Sequence, residues 1–262
     1  MSETPAARLR ALLASGATVH STFVKLAALE VIDLLRGAGI DAVVVDLEHS
    51  QLSDAQARGL VRHAAALGLP AVVRLPSVDS GLINRLLEAG AAGIQLSTVT
   101  RRGQVEELLA ACRFPPAGRR SLSLSHPAAG YGSESVSEHL ARTQDGPLVV
   151  VQIETAKTDD PLSTILAGTD VAFAGTTDLA VDLGVRGPDD PAVDEVVGRI
   201  AGAVAAAGPP TVLGGWASNS IAADRLTAHG ARYITMSSDL ALLAGAVRRE
   251  LFSPAYKENK QT

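Results

Sequence analysis

The sequence predicts a (β/α)8 TIM barrel formed as a single domain over residues 1–262. Three observations carry this reading. Eight short β-branched runs alternate with longer Ala- and Leu-rich segments, most of the runs are apolar without a break, and glycines fall where the intervening helices should stop. Strands buried on both faces read this way when helices cover a parallel sheet. Eight such units in about 250 residues match the closed barrel. A doubly wound sheet is the competing architecture, but no Gly-rich fingerprint follows the first strand.

The predicted strands are residues 18–24, 42–47, 71–75, 93–97, 148–153, 171–174, 211–214 and 232–236. Between the first two strands, Leu26, Leu29, Ile32 and Leu35 recur at threefold spacing and predict a helix face. Leu82 and Leu86 mark a second face. Gly37, Gly68, Gly90, Gly208 and Gly230 are expected to end helices in the left-handed conformation. One connection breaks the rhythm: about 50 residues separate strands four and five, a length that is usually functional or disordered. Its alternating stretch Arg120-Ser-Leu-Ser-Leu-Ser predicts partial ordering and a part in substrate access or subunit contact. The last helix carries Leu240, Leu243, Val247 and Leu251 on one stripe, able to dock on its own barrel or on a neighbour. The barrel is expected over about residues 17–251 and a polar, frayed tail over 252–262.

Composition narrows the function. Twenty-three basic residues against 28 acidic ones give a net charge of −5, which leaves no basic stripe for nucleic acid. The lone cysteine, Cys112, excludes a disulfide framework and a multi-cysteine zinc site, and it fits a reducing cytoplasm. No apolar run approaches the roughly 20 residues that span a bilayer. A cytoplasmic protein with no membrane partner is expected.

Barrel chemistry sits where strands end, so the polar residues at those ends form one set. Strand two ends Asp46-Leu-Glu48-His49, strand three delivers Arg74, strand five ends Gln152-Ile-Glu154-Thr155, and strand six runs into Gly175-Thr-Thr177-Asp178. Glu154 and Asp178 are the leading metal pair, because a hard divalent cation can bind one or two carboxylates and keep waters for a substrate to displace. Two solvated carboxylates are the plain alternative. Asp46 precedes His49 by three residues and is expected to hold its imidazole as an orienting carboxylate does for a base. Arg74 ends a buried strand and must meet a carboxylate, from the protein or from an anionic substrate. Arg120 is a weaker candidate. His63 and His229 read as solvated or capping, while His126 and His139 have no assignable place. Imine chemistry needs a desolvated lysine. Only Lys25 and Lys157 are eligible, and neither falls inside a predicted strand. Gly214-Gly215-Trp216 reads as a tight turn or a close phosphate approach.

Five segments in register then resemble the HpcH/HpaI aldolase family, the metal-dependent pyruvate aldolases of the phosphoenolpyruvate/pyruvate barrel superfamily. They are Gly37-Ala-Gly-Ile-Asp-Ala-Val-Val-Val-Asp-Leu-Glu-His49, Val72-Val-Arg74, Arg113-Phe-Pro-Pro-Ala-Gly-Arg-Arg120, Val151-Gln-Ile-Glu-Thr155 and Gly175-Thr-Thr-Asp-Leu179. The likeness runs from about Val19 to Leu251. Departures are Gly-Thr-Thr-Asp-Leu-Ala where the family has Gly-Pro-x-Asp-Leu-Ser, Leu96-Ser97 for its Val-Pro pair, and Phe23 where tryptophan is common.

The resemblance implies a divalent metal (Mg²⁺, Mn²⁺ or Co²⁺) on Glu154 and Asp178, chelated by pyruvate. It implies that Arg74 stabilises the enolate, that Gln152 and the amide near Thr177 line the pyruvate site, and that His49 with Asp46 is the acid/base. It also implies a homo-oligomer, a hexamer or trimer with an exchanged C-terminal helix, in which Glu88 enters the neighbouring site. The function so implied is a class II aldolase joining a pyruvate-like 2-oxo acid to an aldehyde, or the reverse cleavage. An acyl-CoA lyase, with Arg101-Arg102 and Arg119-Arg120 as a phosphate patch, a 2-oxo acid decarboxylase and a degenerate non-catalytic barrel are the alternatives.

Overall fold

The computed structural model describes residues 4–251. Along the chain lie α1 (Pro5–Ala14), β1 (Val19–Val24), α2 (Leu29–Gly37), β2 (Ala42–Asp46), α3 (Asp54–Ala66), β3 (Ala71–Leu75), α4 (Ser80–Ala89), β4 (Gly93–Leu96) and α5 (Arg102–Cys112). Then follow a 3-10 turn (Pro127–Ala129), α6 (Val136–Arg142), β5 (Leu148–Ile153), α7 (Leu162–Ile165), β6 (Val171–Ala174) and α8 (Thr176–Asp182). The chain continues through α9 (Pro191–Ala207), β7 (Val212–Ala217), α10 (Ser220–Ala228), β8 (Tyr233–Ser238) and α11 (Asp239–Leu251). The eight strands pair in sequence order, all parallel, and β8 closes on β1. The expected tail, residues 252–262, lies outside the described residues.

Strand parity decides what faces the barrel axis. Successive side chains alternate between the faces of a sheet. Val43, Val45, Val73, Leu75, Val149, Val151 and Ile153 belong to the core shared with the helices. Val19, Phe23, Ala42, Val44, Val72, Leu148, Val150, Phe173 and Tyr233 form a second core inside the barrel. Leu9 and Leu13 of α1 join this inner core and plug one end of it. The plug helix itself has a direct local cause: Thr4 caps it by accepting from the Ala7 amide, and Pro5 occupies its first turn.

Several sequence expectations need correction. Gly37 remains inside α2, and Gly39 (φ +86°) takes the left-handed position after it. Leu26 precedes α2 rather than joining its face. Gly214 and Gly215 are strand residues, because β7 continues to Ala217. A Cβ on Gly214 would come within 2.7 Å of the Tyr233 carbonyl and one on Gly215 within 2.9 Å of Leu226, so both glycines answer to packing. The long excursion is folded into the 3-10 turn and α6, with His126 and His139 buried edge to face at 5.6 Å. The stripe on α11 does not dock on its own barrel: Leu240, Leu243, Val247 and Leu251 are 39% to 58% exposed.

Candidate active site

Inward parity carries straight to the mouth. Positions 42 and 44 lead to Asp46, 72 leads to Arg74, 148 and 150 lead to Gln152 and Glu154, and 19, 21 and 23 lead to Lys25. A cavity of about 280 Å³ opens there, lined by Phe23, Lys25, His49, Arg74, Gln152, Phe173, residues 175–178, Trp216, Ser237, Ser238 and Ala241.

On the β1–β3 arc the charges are paired. Arg74 donates from Nε to Asp46 Oδ1 (2.9 Å) and from Nη2 to Asp46 Oδ2 (2.7 Å), and its Nη1 lies 3.1 Å from Glu48 Oε2. The guanidinium sits 4.3 Å from the centre of the Phe23 ring. Lys25 Nζ lies 3.2 Å from Asp46 Oδ2 and donates to the His49 carbonyl at 3.2 Å. Burial would push the Asp46 carboxyl up, but the Arg74 guanidinium and the His49 and Glu48 amides outweigh it and hold the group at about 2.

This arrangement alters the reading of His49. Asp46 does not hold the imidazole; it accepts from the His49 and Glu48 backbone amides and fixes the turn that carries the histidine. Glu48 flanks the imidazole instead, with Oε2 3.7 Å from Nε2, while Ser97 donates to the same oxygen at 2.6 Å. The backbone needs Asp46 here because the strand has ended and its amides have lost sheet partners.

The opposite arc, at β5 and β6, is acidic and unpaired. Glu154 is buried, accepts from Thr98 and Gln152, and has no cationic partner within 4 Å among the described residues. Burial raises its carboxyl above the ordinary range; those two hydrogen bonds lower it in part, and the Asp178 and Glu48 charges push it further up. Gly175 leaves the space this carboxylate occupies, since a Cβ would meet Glu154 Oε2 at 3.0 Å. A buried carboxylate beside a second acid, with no positive partner, fits a hard divalent cation. No cluster of three or more His, Cys, Asp or Glu able to enclose a metal exists among the described residues. Two carboxylates therefore suit a cation that keeps open positions, such as Mg²⁺, better than a closed zinc cage.

Other candidates lie elsewhere. Arg120 donates to Asn84 at 2.9 Å and stacks on Phe114 at 4.6 Å, beside α4 rather than at the mouth. Arg102 bonds to Glu106 and to carbonyls before β6, so the paired arginines form no patch on the cavity. Glu88 accepts from Asn84 at 3.2 Å on α4, beyond its own cavity. His63 and His229 pair with Asp33 and Asp194 at 2.9 and 2.8 Å, in keeping with solvated, capping positions. The sequence reading passed over Gln95, whose Nε2 donates to Gln152 at 2.7 Å, and weighed Lys25, just after the first strand, only as an imine lysine. Inward parity counted from Val19 reaches Lys25, and counted from Gly93 it reaches Gln95.

Comparison with known proteins agrees with this fold. The family model described as HpcH/HpaI aldolase/citrate lyase matches residues 20–246. A 5-keto-4-deoxy-D-glucarate aldolase of Shigella dysenteriae is 31% identical over 224 residues, covering 83% of this chain and 84% of that protein. A 4-hydroxy-4-methyl-2-oxoglutarate aldolase of Hapsidospora irregularis is 34% identical over 163 residues, 60% of each chain. The crystal structure of an HpcH/HpaI aldolase from Desulfitobacterium hafniense superposes with a TM-score of 0.87 at 26% identity, covering 94% of this chain and 95% of that one.

Proposed function

Since the chain belongs to the HpcH/HpaI aldolase/citrate lyase family, we propose that it is a divalent-metal-dependent lyase that cleaves or forms 4-hydroxy-2-oxo acids from pyruvate and an aldehyde. The observation that carries the proposal is the uncompensated acidic pair Glu154 and Asp178 facing a histidine and an arginine across one barrel mouth. A divalent cation on Glu154 and Asp178 would supply Lewis-acid polarisation of the 2-oxo group and a template for the substrate carboxylate.

The chain's own residues account for the rest of the cleavage. His49, exposed at the mouth, accepts the 4-hydroxyl proton directly or through a water. The C3–C4 bond then breaks, its electron pair passes into the enolate of pyruvate, and the aldehyde leaves. Arg74 retains free donors on both terminal nitrogens after binding Asp46 and approaching Glu48, and these hold the enolate oxygen. Gln152 and the Thr177 amide line the carboxylate end. Protonation at C3 returns pyruvate. Both named relatives act on dicarboxylic 2-oxo acids, which supports the same substrate class here.

Chelator treatment should abolish aldol cleavage, and Mg²⁺, Mn²⁺ or Co²⁺ should restore it. Full turnover in excess chelator, or a borohydride-trapped pyruvate adduct on Lys25, would overturn the metal assignment. Loss of all turnover with every 2-oxo acid would favour the non-catalytic barrel.

We also propose a homo-oligomer, a trimer or hexamer, in which the exposed stripe of α11 is covered by a neighbour and Glu88 completes that neighbour's site. The exposed leucines support the first part, since four large apolar side chains along one helix face invite cover. Light scattering should give two or more times 26.9 kDa, and mixing inactive Glu88→Ala with inactive His49→Ala subunits should recover turnover. A fully active monomer would remove both claims.

A further inference from the structure

Lys25 stands in the mouth cavity without a part in the chemistry just described. It follows Val19, Ser21 and Phe23 on the inward face of β1, and its side chain is 20% exposed. The buried Asp239 at the start of α11 pins the backbone beneath it, its Oδ2 accepting from the Lys25 and Leu26 amides at 2.9 Å each. Asp46 and the His49 carbonyl each approach Nζ at 3.2 Å. An ammonium carries three donors, so one remains after these two contacts.

In a closed ring of eight strands, β1 lies diametrically opposite β5. A substrate whose 2-oxo end meets the Glu154 and Asp178 side therefore extends its far end toward β1 and β8. The far wall consists of Lys25 with Ser237 and Ser238. Ser237 adopts φ +58°, a left-handed conformation uncommon for non-glycine residues.

We infer that Lys25 is a specificity residue that binds a second carboxylate at the aldehyde end of the substrate, so that the aldehyde product is itself an anion. The inference rests on the aldolase reading for the placement of the 2-oxo end. A partly dehydrated ammonium attracts a carboxylate more strongly than a solvated one does. A neutral tail that displaced water from Nζ would leave its remaining N–H without a partner, and sites built to bond a polar group discriminate against ligands that lack it. The contacts of Nζ with Asp46 and the His49 carbonyl suit a fixed charge better than a free amine nucleophile.

The test uses the full-length protein saturated with Mg²⁺ and two unreactive ligands of equal chain length, 2-oxoglutarate and 2-oxopentanoate, in titration calorimetry. Wild type should bind the diacid at least about tenfold more tightly, the scale of one charge-assisted hydrogen bond. Lys25→Met should reduce that preference to within about twofold by weakening the diacid alone, whereas Lys25→Arg should retain most of it. In pyruvate condensations, Lys25→Met should raise KM for glyoxylate about tenfold and leave that for acetaldehyde nearly unchanged. No diacid preference in wild type, or equal losses with charged and neutral ligands, would overturn the inference. A clear diacid preference without condensation of either aldehyde would overturn the aldolase reading and leave the subsite standing.

Discussion

The two arcs of the barrel mouth are built on opposite electrostatic plans. From β1 to β3, Lys25 and Arg74 meet Asp46 and Glu48, and even the amides after Asp46 are satisfied by its carboxylate. From β5 to β6, the Asp178 charge adds to the cost of ionising the buried Glu154, which receives only neutral donors from Thr98 and Gln152. The same mouth thus holds one carboxyl depressed to about 2 and another raised above its ordinary value. The difference teaches which charges the chain compensates by itself and which it leaves without a cationic partner among the described residues. The first arc is pre-organised in the free chain, while in the second only neutral hydrogen bonds offset the burial of Glu154.

Breaking the paired arc should have the largest effect. Asp46→Ala leaves Arg74, 5% exposed, without its bidentate partner and deprives two amides of their acceptor. A loss of about 3–5 kcal/mol is expected on breaking such a buried pair. Chemical denaturation should show it; a change below about 1 kcal/mol would mean that the pair is not structural. The wild-type contribution also has a definite pH sense. Because folding depresses this carboxyl, its stabilisation is complete above the unfolded value of about 4 and is lost as pH falls toward about 2. The Asp46→Asn variant should lack that limb of the acid-unfolding curve.

Arg74→Lys sharpens the comparison on the reactive side. A lysine can retain one contact with Asp46, but it cannot span Asp46 and Glu48 while stacking on Phe23. Under the proposed function, turnover should fall at least about tenfold, or about 1.4 kcal/mol of barrier, in a variant that still folds. Unchanged kinetics would make Arg74 a structural residue only.

The contrast between the arcs was partly legible in the sequence. The strand positions and the residues at their ends follow from uninterrupted β-branched runs; His49, Arg74, Gln152 and Asp178 line the mouth that those runs predict, and Asp46 lies buried beneath it. The partners of Asp46 did not follow. Spacing placed it three residues from His49, but a strand-end carboxylate has backbone amides to satisfy, and a guanidinium one strand away competes for what remains. Lys25 was weighed only as an imine lysine and set aside because it follows the strand that ends at Val24, although inward parity runs one residue beyond the ladder to the mouth. The α1 plug was missed for another reason: Leu9 and Leu13 form too short a stripe to identify what they cover.

The smallest effect probes the acidic arc, and its sign is the informative part. Glu154→Gln replaces a buried, uncompensated carboxylate with a neutral group of the same shape. Gln95 Oε1 is buried without a partner, and the Gln95–Gln152 pair can reverse its amides to meet the new side chain. In protein stripped of metal, this substitution should therefore stabilise by about 1 kcal/mol, or roughly 2–4 °C in Tm. Adding Mg²⁺ or Mn²⁺ should reverse the order, because wild type gains binding free energy that the variant loses. Calorimetric scans of both proteins with and without metal make the comparison directly. A variant less stable than wild type in chelator would show that the Glu154 charge is already compensated within the chain, and the two arcs would then differ in location but not in electrostatic plan.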